Sequence, residues 1–285
     1  MHGKTIGNPL SWSAQRLADI GRSAGAAVDG VGSHDMTLPE VNEIGLGDIR
    51  AALRKGVEEF AALRTDVITA VALYPVIGFV LAAWALHSGQ VHLLFPLAAG
   101  FPLVGPVAAI GLYEMSRRRE QGEDASWTAA LATLTGRVLG PVLSLGCLLA
   151  VIFALWLFAA HGIWAATLGP EPYDSLLAFL RATFTTSAGW MMIVIGCGTG
   201  FLFAAIVLCV SLVSFPMLID RPVGVPVALI TSLAVARRNP GTTALWGLIV
   251  TMSLVLGMIP LFVGLIVVLP ILGHATWHLY RRAVV

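Results

Sequence analysis

Two histidines near the end of the chain are the residues best suited to chemistry. His274 and His278 lie four residues apart in the stretch LGHATWHLYRR, directly after a long apolar run. Positions four apart on a helix share one face, and two imidazoles placed in this way suit a metal ion or a haem iron. A metal would need further ligands, and Glu114 is the nearest plausible carboxylate at the same end of the bundle. Haem ligands usually come from facing helices instead.

The same residues also fit the boundary between a membrane helix and water. The run closes with aromatic and basic residues, the types that anchor a span among lipid head groups: Trp277, Tyr280, Arg281 and Arg282. His274 lies about two turns before the arginines and is the better candidate for a buried polar role. We favour the interfacial anchor and expect no bound metal or cofactor. Haem or metal binding through His274 and His278 remains the alternative.

No motif in the sequence predicts an enzyme. GCGTG, at residues 196–200, superficially resembles a phosphate-binding loop, but it lies inside an apolar run with no preceding strand. Gly196 and Gly200 instead form a small-xxx-small pattern that favours close helix packing. We found no nucleophile with a base, no pair of carboxylates and no set of metal ligands. The sequence therefore predicts no catalytic residue.

Composition predicts a membrane protein. The 285 residues are 57% hydrophobic and 12% charged, with a mean hydropathy of +0.85, whereas soluble domains carry about 25% charged residues. A net charge of +1 gives no basic excess for a nucleic-acid partner. The expected partners are membrane lipids, and beyond them another membrane protein or a second copy of the chain.

Six apolar segments approach the ~20 residues that a membrane-spanning helix needs: 67–87, 92–115, 138–161, 189–215, 242–259 and 261–280. Of the 17 Lys and Arg residues, only Arg181 falls on the far side of this arrangement. The positive-inside rule then predicts a multi-pass membrane protein with both termini in the cytoplasm. Residues 1–43 are predicted to be a flexible cytoplasmic tail and residues 44–285 the membrane domain.

The fold predicted is an all-α membrane protein built from three repeats. Each repeat combines an amphipathic interfacial helix with a hairpin of two spans, in units of about 46–115, 124–215 and 222–282. In the first interfacial helix, residues 48–64, the predicted apolar face carries Ile49, Leu53, Val57, Phe60 and either Leu63 or Ala61. The opposite, solvated face carries Arg50, Arg54, Lys55, Glu58 and Glu59.

The middle of the predicted membrane region carries essentially no ionisable residue, which counts against a proton-coupled transporter. We therefore favour a non-enzymatic scaffold, assembly factor or lipid-organising protein. Proline-interrupted spans and the repeat keep a small-solute or lipid transporter open as the alternative.

Several segments resemble one known family. LGDIRAALRKG, FPLAAGFPLVGPVAAIGLYEMSRR, SFPMLIDRPV and VVLPILGHATWHLYRR are together similar to the bacterial integral-membrane family called domain of unknown function 2189. The resemblance covers about residues 40–282. It implies a polytopic inner-membrane protein with no established activity, and it assigns no role to any residue.

Overall fold

The computed structural model describes residues 32, 37–100, 105–133, 138–170, 173 and 175–285. Its regular structure over these residues is helical, and an isolated antiparallel bridge joins Val41 to Val284. The predicted all-α class is confirmed for this part of the chain. Most of the predicted tail, residues 1–31 and 33–36, lies outside the described residues.

The helices follow one another with short connections, and one turn of 3-10 helix occupies Val91–Leu93. Their bounds are α1 Leu46–Val71, α2 Leu73–His87, α3 Leu94–Gly100, α4 Gly105–Ala108, α5 Ile110–Glu120, α6 Trp127–Thr133, α7 Leu139–Thr167, α8 Leu176–Thr185, α9 Ser187–Ser211, α10 Ser214–Asp220, α11 Val225–Arg238, α12 Pro240–Met258 and α13 Leu265–Ala283.

Local sequence accounts for several helix ends. The Asp48 carboxylate accepts a hydrogen bond of 2.9 Å from the Gly45 backbone N–H and so caps the start of α1. Pro240 occupies the first turn of α12, where its missing N–H costs nothing. Local sequence is therefore enough to specify where these two helices begin.

Four stretches are long and apolar enough to cross a membrane, over the residues described: Thr65–His87, Leu139–Thr167, Ser187–Asp220 and Pro240–Met258. They correspond to the first, third, fourth and fifth predicted spans. The second predicted span is divided among α3, α4 and α5, in a region that includes Pro96 and Pro106. The sixth coincides with α13, whose last turns are polar. The six-span count is therefore not confirmed.

The long apolar helices leave most of their surface uncovered. Only 19–22% of the most apolar window is buried in three of the four stretches, against 56% in Ser187–Asp220. Large side chains such as Phe158 and Phe201 stand out from their helices, 78% and 72% exposed. These helices therefore present an extensive apolar surface rather than packing around a common centre.

The tightly packed core lies instead at the arginine-rich end of the molecule. We call this region the cap; it comprises residues 46–64, 110–120, 214–238 and 272–285. Its largest fully buried side chains include Trp277, Tyr280, Phe215, Met217 and Ile49. Helix α13 packs antiparallel along α1 and also contacts α5 and α10. The cap therefore brings together segments from the beginning, middle and end of the chain.

A short extended segment ties the beginning of the cap to the end of the chain. Beside the bridge between Val41 and Val284, the Ile44 N–H donates to Asn239 Oδ1 over 2.8 Å. The Asn239 side-chain amide in turn donates to the Asn42 carbonyl over 3.0 Å. Residues 41–43, which the sequence assigns to the tail, thus bond to the cap.

The buried face of α1 differs from the predicted one. Ile49, Ala52, Gly56 and Glu59 face α13 and are buried, whereas Val57 is 51% exposed. Small residues at positions 52 and 56 allow α13 to approach closely. The side of α1 that packs against α13 is therefore not the side with the most apolar residues. The prediction that Glu59 lies on the solvated face is therefore wrong.

Gly56 marks the closest approach of α1 and α13. A Cβ atom built at this position would lie 2.5 Å from the Ile271 carbonyl oxygen and 3.0 Å from the Ala275 Cβ. We expect Gly56→Ala to lower the free energy of unfolding by about 1–3 kcal/mol, the cost of overpacking a tight contact. Gly47→Ala is the matched control, because a Cβ there meets nothing within 4 Å. Thermal unfolding in mild detergent would measure both, and equal melting temperatures would contradict the prediction.

Candidate functional site

The two histidines converge on one carboxylate that α1 supplies. His278 Nε2 lies 2.9 Å from Glu59 Oε1, and His274 Nδ1 lies 3.2 Å from Glu59 Oε2. All three side chains are buried. The four-residue spacing of the histidines therefore brings both rings to the same partner, as expected for one helical face. That partner is a carboxylate and not a metal ion.

Ser116 on α5 completes the inner end of this network. Its hydroxyl donates to Glu59 Oε2 over 2.6 Å and lies 2.7 Å from His274 Nδ1. Since the hydroxyl proton goes to the carboxylate, His274 Nδ1 carries a proton and donates it. In the neutral ring the lone pair then lies on Nε2, which is buried and has no hydrogen-bond partner among the described residues.

The network continues outward through Glu120. His278 Nδ1 lies 3.3 Å from Glu120 Oε1, and Arg281 Nε lies 3.3 Å from Glu120 Oε2. Arg281 also pairs with Asp220 at 3.2 Å, and the Tyr280 hydroxyl donates to Asp220 over 2.7 Å. From the surface inward, nitrogen-bearing side chains therefore alternate with carboxylates. The order is Arg281, Glu120, His278, Glu59 and His274.

This arrangement shifts the pKa values of its outer members. Burial lowers the pKa of His278, but hydrogen bonds to Glu120 and Glu59 outweigh burial and leave that pKa above its ordinary value of 6.5. Burial raises the pKa of Glu59, yet hydrogen bonds from His274, His278 and Ser116 bring it far below its ordinary value. The network therefore favours an ionised Glu59 beside a protonated His278.

A polar pocket opens above this network. It has a volume of about 240 Å³ and is lined by Lys55, Glu58, Glu59, Arg119, Glu120 and His278. The pocket gives solvent access to the outer end of the network, while His274 remains fully buried behind it. Chemically, this group of residues can hold and exchange protons and can bind a charged ligand.

The interfacial-anchor prediction is wrong for Trp277 and Tyr280. Both side chains are fully buried in the cap, because α1, α5 and α10 cover the face of α13 that carries them. Arg281 and Arg282 are 44% and 42% exposed in their side chains and make ion pairs, that of Arg282 reaching Asp48 at 2.7 Å. The closing motif therefore holds α13 to the rest of the cap, through two buried aromatic side chains and the ion pairs of two arginines.

Glu114, the carboxylate considered as a further metal ligand, is engaged elsewhere. It is fully buried and accepts hydrogen bonds from the guanidinium groups of Arg117 and Arg118 at 2.7–2.9 Å. Among the described residues, no group of three or more His, Cys, Asp or Glu side chains is arranged to hold a metal ion. Within the described part of the chain, His274 and His278 thus have a carboxylate as their common hydrogen-bond partner.

The two glycines predicted to mediate helix packing differ in their surroundings. A Cβ at Gly200 would lie 3.0 Å from the Trp156 ring of α7, whereas one at Gly196 would meet nothing within 4 Å. The Trp156 indole N–H also donates to the Pro96 carbonyl over 2.9 Å. Gly200 therefore lies at a contact between α9 and α7, while Gly196 faces away from the described part of this chain.

Sequence reasoning missed Glu59, Ser116 and Glu120 as members of the site. The charged pattern of α1 assigns Glu59 to the solvated face, and Glu120 lies within the polar run RRREQGED at residues 117–124. One signal was available: Glu59 lies seven residues after Ala52 and three after Gly56, on a stripe of small residues typical of close helix contact. The sequence does not reveal which helix contacts that stripe.

A second imidazole cluster lies at the opposite end of the molecule. His92 Nε2 lies 3.0 Å from His161 Nδ1, and the His92 ring stacks on Trp164 with centroids 3.6 Å apart. His92 is therefore part of an aromatic packing cluster.

Comparison with known proteins agrees with this picture at the level of the family. Residues 94–220, somewhat under half of the chain, match the family model described as "Predicted integral membrane protein (DUF2189)". The resemblance predicted from the sequence is confirmed for these residues. The match does not include the closing GHATWHLYRR motif. No curated protein and no solved structure matches the chain.

Proposed function

We propose that this polytopic integral membrane protein is a non-enzymatic, lipid-organising protein of the bacterial inner membrane. The contrast between the two ends of the molecule carries the proposal. The cap contains most of the largest fully buried side chains, whereas three of the four apolar stretches leave about four fifths of their most apolar window uncovered. Apolar surface of this extent requires lipid or another membrane protein as its neighbour.

We further propose that the cap faces the cytoplasm. The bridge between Val41 and Val284 holds the two ends of the described chain on the same side. Arg117, Arg281 and Arg238 belong to the cap, and the positive-inside rule supports a cytoplasmic location for such a cluster. In the six-span arrangement, α3–α5 and the apolar half of α13 would supply the two further crossings.

The threefold repeat is also part of this proposal. The second helix of each unit ends in the cap, as α5, α10 and α13, and these three segments contact one another there. Pro216 and Pro270 lie in α10 and α13, and Pro106 precedes α5. A repeated unit whose second helix ends in a common core would explain this shared placement.

Photo-crosslinking from the exposed apolar surface tests the lipid-organising function. A benzophenone amino acid at position 158 or 201 is expected to give lipid adducts in native membranes, because both side chains point away from the protein. The same probe at Phe215, which is fully buried, is the control and is expected to give none. Exclusive crosslinking of positions 158 and 201 to a second polypeptide would overturn lipid organisation in favour of assembly.

A proton-linked transporter is the second candidate, and the buried network favours it. The chain of Glu120, His278, Glu59 and His274 runs from the open pocket to a fully buried imidazole, which is the kind of relay that proton-coupled carriers contain. Liposomes holding a pH-sensitive dye would report proton movement. A proton flux that Glu59→Gln abolishes would make transport the leading function, and wild-type liposomes no leakier than protein-free ones would remove this candidate.

A further inference from the structure

The pocket above Glu59 contains charges of both signs, and all of its carboxylates have partners within the protein. Glu59 is hydrogen-bonded to both histidines, and Glu120 pairs with His278 and Arg281. Glu58 lies 3.6 Å from Arg54, an ion pair exposed to solvent. Each carboxylate of the pocket therefore already has a cationic or hydrogen-bonding partner within the protein.

Two cations of the pocket differ in this respect. Lys55 and Arg119 both line it and are exposed, and neither side chain makes an ion pair within the described residues. They come from different helices, α1 and α5, so the fold of the cap brings them to one opening. A pocket whose carboxylates all have partners, and which keeps two unpaired cations, is suited to an anion.

We propose that this pocket binds a phosphate group between the Lys55 ammonium and the Arg119 guanidinium, as the head group of an anionic phospholipid presents it. The assignment deepens the lipid-organising function proposed above and rests on it. Lysine and arginine are the usual partners of phosphate, the guanidinium by paired hydrogen bonds and the ammonium as a compact charge.

The dimensions and the position of the pocket support this ligand. The pocket has a volume of about 240 Å³, which admits a phosphate head group. It opens to solvent beside Lys55 and Glu58, whose side chains are both exposed. Acyl chains can therefore extend outward while the phosphate enters.

Binding to the full-length protein in mild detergent tests the proposal. Native mass spectrometry would compare dioleoylphosphatidylglycerol, dioleoylglycerol, which has the same chains without phosphate, and inorganic phosphate. The variant Lys55→Gln/Arg119→Gln is expected to bind phosphatidylglycerol about tenfold or more weakly, because it loses two charge-assisted contacts. Arg50→Gln/Arg237→Gln is the matched control: it removes two exposed cations of the cap outside the pocket and is expected to bind as wild type does.

A third variant is expected to change phosphatidylglycerol binding in the opposite direction. Glu58→Gln removes a negative charge from the pocket wall and is expected to strengthen phosphatidylglycerol binding. Circular dichroism and melting temperature would establish that each variant folds. Since these side chains are exposed, no large change in stability is expected.

Each outcome bears on the proposal. Binding of phosphatidylglycerol alone, weakened only by the pocket variant, supports a lipid source for the phosphate. Binding of inorganic phosphate with the same dependence supports the phosphate site with a soluble source. Equal affinity for dioleoylglycerol, or unchanged binding by the pocket variant, overturns it. Positions 158 and 201 lie outside this pocket. Crosslinking from them therefore tests the lipid-organising function separately from phosphate binding.

Discussion

Glu59→Ala is expected to be among the most destabilising single substitutions in this protein, lowering the free energy of unfolding by about 3–5 kcal/mol. Glu59 is 6% exposed, and its carboxylate is shared by His274, His278 and Ser116. Its removal leaves Glu120 as the remaining carboxylate beside the buried, protonated His278. It also takes one hydrogen-bond partner from each of His274 and Ser116, which are then left with each other. The loss of those interactions exceeds the benefit of no longer burying the carboxylate.

The neighbouring residue provides the control for this substitution. Glu58 lies on the same helix, carries the same charge and is 64% exposed in its side chain, so Glu58→Ala is expected to change the stability by less than about 0.5 kcal/mol. Glu59→Gln keeps the shape of the side chain and is expected to fall between the two. Thermal or denaturant unfolding in mild detergent measures all three. Glu59→Ala and Glu58→Ala melting at the same temperature would show that the network contributes no stability.

The second large effect is a loss of stability as the pH rises above about 6.5. The pKa of His278 is raised in the folded protein because Glu120 and Glu59 outweigh its burial. The stabilisation that protonated His278 gives to the folded state is therefore fully present below the unfolded-state pKa of about 6.5. It is lost as the pH rises through the higher pKa of the folded state. We expect the melting temperature to decrease between pH 6.5 and pH 9.

Glu59 and Glu120 act at the acidic end. The pKa of each is lowered in the fold, so their contribution is present above the ordinary value of about 4.5 and is lost as the pH falls below it. The network is thus most stabilising between about pH 4.5 and pH 6.5. The charge of Lys55, on α1, opposes the protonation of His278 and partly offsets the effect of the two carboxylates.

Replacement of the histidine separates this effect from the general titration of the protein. His278→Gln is expected to flatten the decrease in melting temperature above pH 6.5, because the titrating partner of Glu59 and Glu120 is gone. His87→Gln is the control, since His87 is exposed and, within the described residues, its ring bonds to the Ala83 carbonyl of its own helix. A pH profile for His278→Gln that parallels the wild type would contradict the role given to His278.

The sequence by itself determined the membrane class and the position of the apolar helices. Hydropathy is a local and additive property, so Leu139–Thr167 and Pro240–Met258 could be located as apolar runs without knowing their neighbours. The same holds for the shared face of His274 and His278, which depends only on helical periodicity. Residues 94–220 also carried enough local resemblance to indicate the family.

Only the tertiary structure decided what each helix faces. Lipid and protein interior are both apolar, so hydropathy does not distinguish a residue that faces lipid from one that faces another helix. Trp277 and Tyr280 have the composition of an interfacial anchor and are nevertheless buried, because α1, α5 and α10 cover them. Glu59 has the pattern of a solvated residue and lies at the centre of the site, because α13 brings two imidazoles to it. These partners are separated by more than two hundred residues in the chain, and only the packing of the cap brings them together.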